Sequence, residues 1–92
     1  MIRLNCFIKV VSQENKGRVL AAASELTEAS LNQDGCIAYD IFESATRPDV
    51  LMICETWRDQ AALDAHTASG VFESQVAVIK AYSEMKLESF NF

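Results

Sequence analysis

Residues 36–57 read CIAYDIFESATRPDVLMICETW, and this stretch decides the fold. Its two ends, Cys36–Glu43 and Val50–Trp57, are rich in β-branched and aromatic side chains, a composition typical of β-strands. The residues between them, SATRPD at 44–49, include the Ser, Pro and Asp that favour turns. The stretch therefore predicts a hairpin of two antiparallel strands.

The segment before the hairpin predicts a strand followed by a helix. Residues 2–11 alternate strictly, with every even-numbered residue apolar, which is the period of a strand with one dry face. Residues 14–32 carry apolar side chains at close to the 3.6-residue period of a helix that lies on a core. Ser12 or Asn15 is the expected N-cap of this helix. Gly35 follows it and is free to take a positive φ.

Two helices and a fourth strand are predicted after the hairpin. Asp59 is expected to cap a short helix over residues 60–68, and a second helix is expected over residues 71–81. Residues 82–92 alternate again and predict a strand. The order strand-helix-strand-strand-helix-strand is the split βαβ pattern of the ferredoxin-like α+β class, a four-stranded antiparallel sheet with helices on one face. We expect one domain over residues 1–92.

Composition and charge limit the class of partner. The chain has 92 residues, 50% of them hydrophobic, with 8 Lys and Arg against 13 Asp and Glu and a net charge of −5. A chain with this much apolar sequence is expected to fold. An acidic chain without a basic cluster is a poor partner for nucleic acid or an anionic membrane. No apolar run approaches the roughly 20 residues of a membrane helix, and the amino terminus lacks a signal-peptide pattern.

The cysteines indicate a reducing compartment. Cys6, Cys36 and Cys54 are odd in number and widely spaced, which fits neither a disulfide framework nor a zinc site. All three lie in apolar strands and are interpreted as small buried hydrophobic residues. We therefore expect a soluble cytoplasmic protein.

The second face of the sheet is expected to be an interface. Alternation leaves it only half polar, and the apolar residues expected to contribute are Phe7, Tyr39, Ile41, Leu51, Ile53 and Trp57. A small chain gains burial by self-association, and an exposed apolar face of this extent usually marks a protein interface. We expect a homodimer that packs sheet against sheet. Alternation alone leaves open whether Tyr39 and Trp57 face the helices or the partner.

Among the ionisable residues, His66 and Glu55 need separate interpretations. His66 is the only histidine, and an imidazole with an ordinary pKa of about 6.5 suits proton transfer at neutral pH. Taken alone, a single histidine on a short helix is more often a packing residue than a catalyst. Glu55 has apolar neighbours and is interpreted as an interfacial or helix-capping carboxylate rather than a general base. The sequence has neither a Gly-rich phosphate loop nor a metal-ligand cluster.

Two motifs at the hairpin carry a family resemblance. Residues 34–39 read DGCIAY, an acidic-Gly-Cys-x-x-Tyr start to the second strand, and residues 55–66 read ETWRDQAALDAH, a Glu-x-Trp segment followed by Ala-Leu-x-x-His. Together they resemble the antibiotic biosynthesis monooxygenase (ABM) family, over nearly the whole chain. The resemblance implies a dimeric α/β barrel of ferredoxin-like protomers, each with a small apolar cleft between sheet and helices.

The activity that the resemblance implies is oxidation of a small electron-rich phenol or quinol by O₂, with no flavin, haem or metal. Such a substrate, once deprotonated, can reduce O₂ itself, so the protein need only bind the ring, accept a proton and exclude water. His66 is the expected proton acceptor. Trp57, Tyr39 and Phe72 are expected to hold the ring, and Asn5 to hydrogen-bond a ring oxygen.

Two alternative functions stay open. The first is a non-catalytic dimeric domain that binds a small apolar ligand or only itself. The second is an isomerase of a phosphorylated signalling sugar, an activity that also occurs among ABM proteins. An isomerase would favour a basic phosphate contact, for which the chain offers Arg3, Lys9, Arg47 and Arg58.

Overall fold

The computed structural model describes residues 1–92 as an antiparallel sheet of four strands with helices packed on one face. The elements in chain order are β1 (Ile2–Val10), a 3₁₀ turn (Gln13–Asn15), α1 (Lys16–Leu31), β2 (Cys36–Glu43), β3 (Val50–Trp57), α2 (Gln60–Thr67), α3 (Gly70–Tyr82) and β4 (Ser83–Asn91). The strands lie in the order β2-β3-β1-β4. The ferredoxin-like α+β fold is confirmed. None of the helices combines the length and apolarity needed to span a bilayer.

Local signals at the element ends are confirmed in two places and wrong in one. Asp59 caps α2, since its carboxylate accepts a hydrogen bond from the Ala62 amide at 2.9 Å. Gly35 takes a φ of 81°, and a Cβ there would also collide with the Cβ of Ala62. Asn15 occupies the N-cap position of α1, but neither its side chain nor that of Ser12 makes a capping bond to the helix; the Asn15 side-chain NH₂ group donates instead to the Ser12 hydroxyl at 2.8 Å.

The core lies between the helices and one face of the sheet. The even-numbered residues of β1 are all buried there, as the alternation predicts. Leu51 and Ile53 of β3 pair with Ile8 and Cys6 of β1, so the odd-numbered residues of β3 share this face. Helix α1 adds four fully or nearly fully buried side chains at helical spacing, namely Val19, Ala22, Ala23 and Leu26. Burial of a Val, Leu or Ile side chain stabilises a fold by about 1.5–3 kcal/mol.

The expected composition of the second sheet face was wrong for Ile41, Leu51 and Ile53, which lie on the helix-covered face. Tyr39 and Trp57, for which alternation left the face open, lie on the helix-covered face as well, and all of these residues except Ile41 are buried. Phe7 does lie on the open face, where it pairs with Met52 and Lys86. Alternation orders residues within one strand, whereas only the register between strands tells which parity of β3 matches the dry parity of β1.

Candidate active site

A cavity of about 320 Å³ lies between the helix-covered face of the sheet and the helices. Most of its wall is apolar, from residues that include Leu4, Cys6, Ile53, Phe72, Val76 and Met85. Four polar side chains also line it, namely Tyr39, Glu55, Thr67 and Lys80. A mainly apolar pocket of this size with a few polar groups is typical of a site for a small organic molecule.

Glu55 is the only carboxylate that lines the cavity. In the sheet it lies between Leu4 of β1 and Tyr39 of β2, on the helix-covered face, and only 8% of the residue is exposed. The Trp57 indole N–H donates a hydrogen bond to Glu55 Oε1 at 3.0 Å. The interpretation of Glu55 as an interfacial or capping group was therefore wrong. A carboxylate at the same parity as two apolar neighbours was the signal that could have placed it inside.

Burial raises the pKa of both the Glu55 carboxyl and the Tyr39 hydroxyl in the cavity. It raises the pKa of Glu55, an effect that hydrogen bonding from the Trp57 indole and the nearby Tyr39 hydroxyl partly offsets. Burial, and after it the negative charge of Glu55, raises the pKa of Tyr39. Tyr39 therefore keeps its hydroxyl proton, and the Glu55 carboxylate is a stronger base than one in water.

His66 stands in a cage of aromatic rings at the end of α2. Its ring centroid lies 5.5 Å from that of Tyr39, 4.5 Å from that of Trp57 and 5.1 Å from that of Phe72. Only 1% of the residue is exposed. Its Nε2 atom lies 4.0 Å from Glu55 Oε1 and makes no hydrogen bond. On the other side of the ring, Nδ1 lies 2.7 Å from the side-chain oxygen of Gln33.

Acidification is expected to destabilise the protein through His66. Burial lowers the pKa of the folded imidazole to about 4, below its ordinary value of 6.5. The unfolded chain therefore binds more protons between these two values, so the free energy of unfolding falls as the pH drops from 6.5 toward 4. The whole pKa difference corresponds to about 3 kcal/mol.

Denaturant unfolding of the parent and of His66→Phe measures this effect. Between pH 6.5 and 4 the parent should lose more unfolding free energy than the variant, because phenylalanine does not titrate. Glu55 has a raised pKa and contributes a slope of opposite sign in both proteins. If the unfolding free energy changes equally with pH in the two proteins, His66 does not have a lowered pKa in the folded state.

The structure brings four of the five sequence-predicted site residues together. The His66 ring contacts those of Tyr39, Trp57 and Phe72, and Tyr39 also contacts Trp57. Tyr39 and Phe72 line the cavity. Trp57 and His66 lie behind the wall, where Trp57 is fully buried. Asn5 was misplaced, since it pairs with Cys54 and Glu88 on the open face. The alternation that buries the even-numbered residues of β1 turns Asn5 away from the cavity.

The basic residues considered for a phosphate contact lie elsewhere. Arg3 and Lys9 lie on the open face of the sheet, and Arg47 is in the turn between β2 and β3. Arg58 pairs with Asp34, with both nitrogen–oxygen distances at 3.3 Å. None of these four side chains lines the cavity, whose only cation is Lys80.

Comparison with known proteins gives consistent matches. The family model described as antibiotic biosynthesis monooxygenase matches residues 1–78. The Bacillus subtilis protein named "Putative monooxygenase YcnE" is 32% identical over 77 residues, which are 84% of this chain and 80% of that protein.

Solved structures match nearly the whole length. A conserved Bacteroides thetaiotaomicron protein of unknown function, described as a possible oxidoreductase, is 50% identical with a TM-score of 0.95, over 99% of this chain and 96% of that one. An antibiotic biosynthesis monooxygenase is 28% identical with a TM-score of 0.90, over 100% and 98% of the two chains. With the motifs at 34–39 and 55–66 in place around the cavity, the chain belongs to the antibiotic biosynthesis monooxygenase family.

Proposed function

We propose that the chain is a monooxygenase that oxidises a small electron-rich phenol or quinol with O₂ and requires no flavin, haem or metal. Family membership supports the oxygenation. The substrate class rests on one observation, a cavity of about 320 Å³ that is apolar except for a few polar groups and has a single carboxylate, Glu55, in its wall. An aromatic ring fits such a wall, and a phenolic hydroxyl is a proton donor that suits the carboxylate.

Removal of the phenolic proton is the step that the protein would promote. We assign the proton to the Glu55–His66 pair, with the Glu55 carboxylate facing the cavity and His66 Nε2 behind it at 4.0 Å from Oε1. The phenolate then gives an electron to O₂, and the two radicals combine at a ring carbon. One oxygen atom stays on the ring, which becomes a quinone, and the other leaves as water with two hydrogen atoms from the substrate. The substrate supplies all the electrons.

The neighbouring side chains support this chemistry by holding the ring and keeping water out. Tyr39 and Phe72 line the cavity and present aromatic surfaces to a planar ligand. Trp57 donates to Glu55 Oε1 and so holds the carboxylate in one orientation. The apolar wall leaves little room for water around the phenolate, whose hydration would make it a weaker reductant of O₂.

Oxygen uptake with a panel of small phenols and quinols tests the proposal. Each compound is incubated with the protein under ¹⁸O₂, and the product mass is compared with that of spontaneous oxidation in buffer. We expect faster uptake with at least one member of the panel and one labelled oxygen atom in the product. If no compound reacts faster than in buffer, the proposal fails. Saturable binding without turnover would instead favour the non-catalytic domain.

We also propose that the chain forms a homodimer through the open face of its sheet. Phe42, Met52 and Phe7 form one row across β2, β3 and β1 on this face. The exposed fractions of Phe7 and Phe42 are 39% and 50%. Contiguous exposed apolar surface of this kind usually marks an interface, and obligate dimers commonly bury more than about 2,000 Å² in total.

Phe7→Lys is expected to convert the dimer to a monomer. A charge within this apolar row would be desolvated without a partner, which costs several kcal/mol. The molar mass measured by sedimentation equilibrium should then fall from that of two chains to that of one chain, 10.2 kDa. Ser24→Lys, on the exposed side of α1, adds the same charge and should leave the dimer intact. A parent protein that sediments as a monomer at micromolar concentration would contradict the proposal.

A further inference from the structure

We infer that Gln33 is a positioning residue that holds the hydrogen of the neutral His66 ring on Nδ1, so that the lone pair of Nε2 faces Glu55. The inference deepens the proposed function, on which its catalytic part rests. It concerns a contact that joins two distant parts of the chain. Gln33 lies in the turn after α1, and His66 lies near the end of α2.

The contact is short and its backbone support is well defined. Gln33 Oε1 lies 2.7 Å from His66 Nδ1. The backbone N–H of Gln33 donates to the backbone carbonyl of Ser30 at 3.0 Å, and the backbone N–H of Cys36 donates to the backbone carbonyl of Gln33 at 3.2 Å. These bonds fix the turn from which the glutamine side chain reaches the ring. The turn closes at Gly35, whose positive φ directs the chain into β2.

Both polar groups near Nδ1 are hydrogen-bond acceptors. The second group is the Ser30 hydroxyl, whose oxygen lies 3.5 Å from Nδ1. Ser30 donates its own hydrogen to the Leu26 carbonyl at 2.6 Å, which leaves only lone pairs for the imidazole. With Oε1 rather than the side-chain NH₂ group at Nδ1, Gln33 also offers only lone pairs, so we infer that Nδ1 carries the ring hydrogen. A neutral imidazole has one hydrogen, so Nε2 carries none.

This tautomer gives Nε2 a function that the rest of the structure leaves open. Nε2 is buried, has no hydrogen-bond partner and lies 4.0 Å from Glu55 Oε1. A lone pair next to a carboxylate is a vacant position for one proton. When the Glu55–His66 pair takes up the substrate proton, Glu55 can share it with the Nε2 lone pair, while Gln33 Oε1 keeps the ring hydrogen on Nδ1.

Solvent on the Nδ1 side makes the glutamine necessary. A surface groove of about 290 Å³ reaches His66 and is also lined by Gln33, Asp34 and Arg58. Water in place of the glutamine oxygen could donate as well as accept, so it would leave the tautomer undefined. The other ionisable groups that face the ring are Glu55 and Tyr39, while Asp34 and Arg58 pair with each other in the groove.

Nitrogen NMR of the only histidine tests the inference directly. Long-range ¹H–¹⁵N correlation of the uniformly labelled parent should show a protonated Nδ1 and an unprotonated Nε2 at neutral pH. Gln33→Met removes the acceptor at similar length and should shift the ring toward the Nε2–H tautomer. Gln33→Glu restores an acceptor and should restore the Nδ1–H tautomer. Gln13→Met, the same change at an exposed position, is the matched control and should leave the spectrum unchanged.

Kinetics separate positioning from packing. At metal sites, loss of the group that orients a histidine through its second ring nitrogen typically costs about 10- to 100-fold, and the geometry here is analogous. We expect Gln33→Met to lower kcat by about this factor with little change in KM, and Gln33→Glu to recover most of the loss.

The outcomes distinguish the inference from the proposed function. An Nε2–H tautomer in the parent overturns the inference, and this spectrum needs no variant to fold. An unchanged tautomer in folded Gln33→Met overturns it as well. If the tautomer behaves as expected but no phenol or quinol is oxidised by the parent, the role of Gln33 in fixing the ring stands and the proposed function fails.

Discussion

Glu55→Gln is expected to lower kcat/KM by about 10²- to 10⁴-fold for any phenol or quinol that the parent oxidises. The carboxamide has nearly the same shape, and its oxygen can still accept the hydrogen bond that Trp57 donates to Oε1 at 3.0 Å. It cannot accept the substrate proton. The initial rate of oxygen uptake, measured over a range of substrate concentrations, gives the effect.

Two controls make the Glu55 result interpretable. Glu25→Gln removes a carboxylate on the exposed side of α1 and should leave kcat/KM unchanged. Trp57 is the only tryptophan and contacts both Glu55 and His66, so its fluorescence reports whether the variant keeps the native site. A folded Glu55→Gln protein with parental activity would show that this carboxylate is not the proton acceptor.

His66→Phe is expected to lower kcat/KM by about 10²-fold, at the lower end of the range for one acid–base group. Phenylalanine keeps an aromatic ring among Tyr39, Trp57 and Phe72, so the packing is largely preserved. His66→Ala should lose similar activity and more stability, because removal of a fully buried ring leaves a cavity. The measurement is again oxygen uptake, with unfolding free energies determined in parallel.

The pH profile adds an independent test of His66. The pKa of His66, lowered to about 4 by burial, leaves the ring neutral at neutral pH, so Glu55 is the stronger base of the two. In the parent, kcat/KM should therefore rise with pH along an acid limb that belongs to the coupled Glu55–His66 pair. The apparent pKa of this acid limb should differ between the parent and His66→Phe. If that variant is dimeric, folded and as active as the parent, His66 is not part of the proton acceptor.

The double variant shows whether the two residues act as one unit. If the substrate proton passes to the pair, Glu55→Gln combined with His66→Phe should cost little more than the more damaging single change. Fully multiplicative losses would mean that the residues contribute separately. The distance of 4.0 Å between Nε2 and Oε1 is close enough for strong coupling.

Local sequence signals determined the fold class and most element ends. Both hairpin strands, Cys36–Glu43 and Val50–Trp57, have the predicted bounds. The reason is that side-chain alternation, turn residues and the Asp59 cap act over a few residues. The helix after β1 was less well defined, since Ser12 and Asn15 bond each other and a 3₁₀ turn precedes α1.

The assignment of sheet faces depended on contacts between strands. Alternation within β3 places Ile53, Glu55 and Trp57 on one face, but it cannot tell which face of the sheet that is. The pairing of Ile53 with Cys6 places all three with the dry side of β1. A shift of the register by one residue would have turned them to the open face.

Some residues of the candidate site were indicated by the sequence, and others were placed only by the tertiary structure. The motif at 55–66 was sufficient to select His66, and the aromatic residue types near it indicated Trp57, Tyr39 and Phe72. Only the tertiary structure placed Glu55 at the cavity, turned Asn5 to the opposite face and brought Gln33 to His66 Nδ1. The sequence by itself thus determined the elements and the histidine, because those signals are local. The place of Glu55 at the cavity and the contact of His66 with Gln33 were decided by strand register and by a contact between residues 33 positions apart, which only the folded chain creates.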